Sequence, residues 1–126
     1  MSSPSPLAQR ALAQLPSAEA ACLQRCLGQR MEDSRVQDYV ASLQARASRE
    51  EFLDLETAER TAAACNQAHD LAESVGTDEA RTLARAAAAY FVLEDDAEAD
   101  DSVIGFDDDL RVAEAVVAVL REEAGS

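Results

Sequence analysis

Lysine and tryptophan are missing from this chain, and several other types are scarce: one histidine, three prolines, four glycines and five Phe or Tyr. Each shortage excludes something. Without lysine there is no Schiff-base nucleophile and no lysine-bearing phosphate loop. With His69 alone, any Cys/His or Ser/His mechanism has only one imidazole to use. The longest unbroken apolar run is the eight residues 86–93, where a membrane-spanning helix needs about twenty. Residues 1–6 carry no basic stretch and no apolar stretch follows them, so no secretory signal is read there; they read as a short disordered tail. Basic residues number eleven against twenty-five acidic ones, a net charge of −14. That balance argues against DNA, RNA or an anionic membrane as the main partner.

What is present points to helix. Twenty-seven residues are Ala, nine are Val and one is Ile, a mixture that favours helix over sheet. A chain of 126 residues suits one domain, taken here as residues 7–124. The expected fold class is all-α, a single compact bundle of about five helices with an acidic loop before the last one.

Punctuation along the chain places the elements. Leu7 to Leu15 reads as a short helix stopped by Pro16, and Ser17 as the N-cap of a second helix ended by Gly28. Val36, Tyr39, Val40 and Leu43 form one stripe of a helix from Ser34 to Ala47. Ser48 with Glu51 is a capping box opening a helix from Arg49 to Val75, with Phe52, Leu55, Ala58, Ala62, Cys65, His69 and Ala72 on its apolar side. Gly76 ends it and Thr77 caps the next, Asp78 to Leu93, whose alanines suit a central position. Residues 94–106 read as a loop. Asp107 then caps a last helix, with Leu110, Ala113, Val117 and Leu120 facing inward.

The loop is the most unusual segment. Six of the eight residues from Glu94 to Asp101 are acidic, and Asp107, Asp108 and Asp109 follow. Carboxylates this dense repel unless water, salt, arginine or a cation screens them. Three readings stand. One is a solvated connection. Another is a divalent cation site at Asp96, Asp100, Asp108 and Asp109, although an EF-hand register begun at Asp96 puts Asp101 where Gly belongs and Asp107 where Glu belongs. The third is a docking surface for a basic protein through Asp95, Asp96, Glu98, Asp100 and Asp101.

Tyr90-Phe91-Val92-Leu93, Asp96, Asp100, Gly105-Phe106 and Asp108-Asp109-Leu110 together resemble the signature of the YkvA-like bacterial domain, a family of unknown function. The likeness covers residues 86–120. Glu94 and Ala99 stand where the family has prolines, and Asp95, Glu98 and Asp101 where it has apolar turn residues. The resemblance implies a helical domain in bacterial envelope or stress contexts, with no known catalytic residues. On the residues themselves, Asp96 and Asp100 can tie the turn through backbone N–H groups.

Cys22, Cys26 and Cys65 are the three cysteines; an odd number without a signal indicates a reducing compartment and a cytoplasmic protein. Cys22/Cys26 and Cys65/His69 are two i, i+4 pairs. They are read either as small core residues with a peripheral imidazole, or as a structural zinc set if two helices bring them to one level. No Gly-rich phosphate loop, metalloprotease motif or nucleophile elbow is present. The expected function is therefore non-catalytic contact with a protein through the acidic loop, with divalent-cation or zinc binding as the alternative. The partner's identity and the oligomeric state are not legible.

Overall fold

The computed structural model describes residues 5–27, 34–47, 55–94 and 107–125. Among them there are six α-helices, one π-helical turn and no strand: α1 (Pro6–Ala13), α2 (Ser17–Cys26), α3 (Ser34–Ala47), α4 (Leu55–Val75), α5 (Asp78–Ala89), the π turn (Tyr90–Glu94) and α6 (Asp107–Ala124). The all-α bundle is as expected, with six α-helices rather than five. Pro16 separates α1 from α2, because a proline ring cannot continue the α1 hydrogen-bond ladder.

Helix ends follow local chemistry, with exceptions. Ser5 and Pro6 belong to α1 rather than to a tail: Ala8 N–H donates to Ser5 Oγ at 3.2 Å, and Pro6 sits where its missing N–H is no loss. A second α1 donor, Leu7 N–H, is satisfied from far along the chain by Glu79 Oε1 at 2.8 Å. Ser17 is the first residue of α2 rather than its cap and makes no side-chain capping bond; Pro16 holds the cap position. Gly76 ends α4 at φ +78°, a left-handed conformation that suits glycine, and Thr77 Oγ1 accepts from Ala80 N–H. Asp107 is the first residue of α6. The capping box at Ser48 and Glu51 lies outside the described residues.

Topology follows from three contacts. The Gly76 turn makes α5 antiparallel to α4. The start of α1 meets the start of α5 through Leu7 and Glu79, and Arg10 reaches Glu122 and Glu123 at the end of α6. The ends of α4 and α6 are thus at the same end of the bundle, and the two helices run in the same direction. They form the most extensive pairing in the molecule.

The core is made largely of small side chains. Among the described residues, 13 of the 29 buried apolar side chains are alanine. Ala58, Ala62, Cys65, Ala68 and Ala72 form the buried side of α4, and Val112, Val116, Val119 and Leu120 are among the buried residues of α6, the helix it packs on most extensively. Burial on α6 runs well beyond the expected single stripe, and Leu110, expected inside, is only half-buried. A central helix is covered on several sides, so periodicity alone underestimates its buried face. Large fully buried anchors are few: Phe91, Leu23, Leu43, Leu83 and Leu120.

Helix α5 does not run as α-helix to Leu93; it passes into the π turn at Tyr90. Tyr90, Phe91 and Val92 are consecutive and all buried, because α2, α3 and α6 pack around this turn, as neighbours also do around Ala115, Val116 and Val117 of α6. Phe91 meets Tyr39 of α3 edge-to-face, with centroids 5.0 Å apart and planes at 75°.

Two substitutions test this account. Phe91→Ala should cost about 3–5 kcal/mol in urea unfolding, because the fully buried ring leaves a cavity beside Tyr39. Glu79→Ala should cost roughly 1–3 kcal/mol by removing an acceptor from the first turn of α1, and Glu79→Gln should cost less because it keeps one.

Candidate functional sites

The residues singled out in the sequence do not gather at one place. Asp95, Asp96, Glu98, Asp100 and Asp101 lie outside the described residues, between Glu94 of the π turn and Asp107 of α6. Asp96 and Asp100 of the proposed cation set share that position. Asp108 is in the first turn of α6. Asp109 follows it and is only 2% exposed, turned into the protein rather than toward solvent. Its burial was readable in principle, since Asp109, Val112, Ala113 and Val116 follow helical spacing on one face. Its membership of an acidic triplet hid it.

The four Cys/His residues are separated by exposure as well as by element. On α2, Cys22 is half-buried and Cys26 buried; on α4, Cys65 is buried and His69 exposed. Ala68 rather than His69 continues the inner stripe of α4, because it lies between Cys65 and Ala72 on the buried face. Helix α2 packs on α1, α5, α6 and the π turn. Among the described residues, no three His, Cys, Asp or Glu side chains form a group able to hold a metal ion.

Cys65 and Asp109 do share an environment. Burial pushes the Cys65 thiol up to about 12, and the Asp109 charge pushes it the same way. A thiol with this pKa stays protonated and un-nucleophilic at neutral pH. Cys22 is different: Arg25 Nη2 donates to its Sγ at 3.0 Å at the surface.

Ion pairs tie helices across the surface. Arg111 of α6 bonds Glu19 of α2, and Arg10 of α1 bonds both Glu122 and Glu123 of α6, at 2.6 and 3.0 Å. Arg81 of α5 reaches back to Glu73 of α4 at 3.3 Å. These exposed pairs fix geometry more than they stabilise.

The outer side of the α4–α6 pair carries an open cleft of about 380 Å³. Its walls include Ala63 and Ala64 from α4 and Val117 and Ala118 from α6, with Arg60, Arg121 and Glu114 at its margins. Sequence reading missed this feature, because it exists only once two distant helices run side by side.

No protein-family model, curated protein or solved structure matches the chain. The YkvA-like resemblance therefore rests on the quoted residues alone. Among the described residues, no helix is long and apolar enough to cross a membrane.

The Cys65 environment predicts a pH dependence. Its folded pKa lies above the ordinary thiol value of 9.0, so the native state holds the proton more tightly than the unfolded chain. Stability relative to Cys65→Ala should be flat below about pH 9 and fall as pH rises from there toward 12. Denaturant titrations of both proteins across that range check the sign. At pH 8 a thiol reagent should label Cys22 well before Cys65.

Proposed function

We propose that this protein acts without chemistry of its own, in the cytoplasm, by binding a protein with a basic surface. The observation that carries the proposal is the charge: six acidic residues among the eight from 94 to 101, in a chain of net charge −14. Asp95, Asp96, Glu98, Asp100 and Asp101 are the binding residues. A concentrated field of one sign accelerates encounter with the opposite sign and selects against acidic competitors.

The described carboxylates support this division of labour. Glu19, Glu73, Glu79, Glu122 and Glu123 are engaged between helices, where they serve the fold. An inhibitor of a basic toxin and a secretion chaperone are roles compatible with a small acidic bundle. The resemblance to the YkvA-like family is compatible with a bacterial housekeeping role.

An immobilised arginine-rich peptide tests the proposal. Binding should weaken at least tenfold, an order-of-magnitude expectation, between roughly 50 and 300 mM salt. Changing all five residues to Asn or Gln should abolish it without lowering the melting temperature. Equal binding by that variant would overturn the proposal. A melting temperature raised by Ca²⁺ or Mg²⁺ in the parent, and not in the variant, would favour the cation reading instead.

A further inference from the structure

We infer that the α4–α6 cleft is a self-association surface whose occupant is the same face of a second copy of this chain. The first ground is charge pairing. Among the described residues Arg10, Arg81 and Arg111 each have a carboxylate partner. Arg35 and Arg85 have none among the described residues and stand apart from the cleft; Arg60, Arg121 and Glu114 also have none, and these three border one cleft. Unpaired charges of both signs on a single face are what a two-fold contact uses. In an isologous pair each copy offers its arginines to the other's Glu114 and receives the reverse. A purely basic or purely acidic partner would satisfy only one sign.

The second ground is where the charge lies. The chain carries −14 overall, yet two Arg and one Glu give the cleft margin a net +1. Two copies of an acidic protein approach with least repulsion where their facing patches are not acidic. The third ground is shape. Ala63 and Ala118 are exposed and Ala64 half-buried, so a partner helix can come close without displacing a bulky side chain. The walls are rigid, because α4 and α6 form the central pair of the bundle.

This surface differs from the acidic loop in its response to salt. Moderate salt screens the repulsion between two highly acidic copies, so self-association should strengthen as salt rises from a low value, whereas loop-mediated binding should weaken.

Sedimentation of the full chain tests the proposal. At about 100 μM, within the range of weak transient pairs, the parent should show a populated dimer. Ala118→Glu puts a long side chain where close approach of a partner helix needs a small one, and should raise the dimer Kd at least tenfold, an order-of-magnitude expectation. Glu114→Arg alone and Arg60→Glu with Arg121→Glu should each be monomeric, and an equimolar mixture of the two should restore a dimer. Circular dichroism and melting establish that each variant folds; if Ala118→Glu does not, the charge-reversal mixture decides. A parent that is monomeric at that concentration overturns the proposal and leaves the cleft to a partner of different sequence. A dimer unchanged in the folded variants overturns it too, by placing the contact elsewhere.

Discussion

Close approach of helix backbones organises this molecule. Alanine removes little surface from water, so a core of Ala58, Ala62, Ala68, Ala72, Ala86 and Ala87 is stabilised by bringing helices near enough for their backbones and larger neighbours to touch. The bulk that fills the remaining space comes from several elements: Leu23 of α2, Leu43 of α3, Leu83 of α5, Phe91 of the π turn and Leu120 of α6. Helix α6 adds Val112, Val116 and Val119 to these, and it pairs with the alanine-rich α4 more extensively than any other two elements do among the described residues. The π turn has the same logic at the other end of α5. It turns three successive large residues, Tyr90, Phe91 and Val92, into the protein, with Phe91 against Tyr39 of α3.

An acidic chain built this way must manage its charge. It does so in part by using carboxylates as ties between elements. Glu79 closes the first turn of α1, Glu19 holds Arg111, and Glu122 and Glu123 converge on Arg10. Each tie joins elements far apart in sequence, so the pattern specifies arrangement even where single pairs add little energy. Asp109 is the exception, a carboxylate placed inside beside the Cys65 thiol, which is held protonated.

Much of the fold was legible because helix punctuation is local. Pro16, Gly76 and Thr77 act within a few residues, and the Val36–Leu43 stripe needs only a 3.6-residue period. The errors arose where a residue's neighbours in space are not its neighbours in sequence. His69 and Ala68 are equally compatible with the α4 stripe until α6 selects one. Regular periodicity offers no place for a π turn, and the run of buried residues at Tyr90 to Val92 does not mark one, since α6 buries Ala115 to Val117 as regular helix. Asp109 belongs to an acidic triplet in the sequence, whereas its position on the Val112–Val116 face decides its burial. The candidate sites were less legible still. The α4–α6 cleft depends on helices separated by the 31 residues 76–106, and the separation of His69 from the buried thiols depends on tertiary packing.

The pairing of Arg10 with Glu123 spans 113 residues of chain. During synthesis, α1 leaves the ribosome first but meets part of its supporting surface only after α6 has emerged. Until then the inner faces of α1 and α5 lack the helix that completes their cover. Closure of the bundle therefore waits on the emergence of α6, the last of the six described helices in chain order.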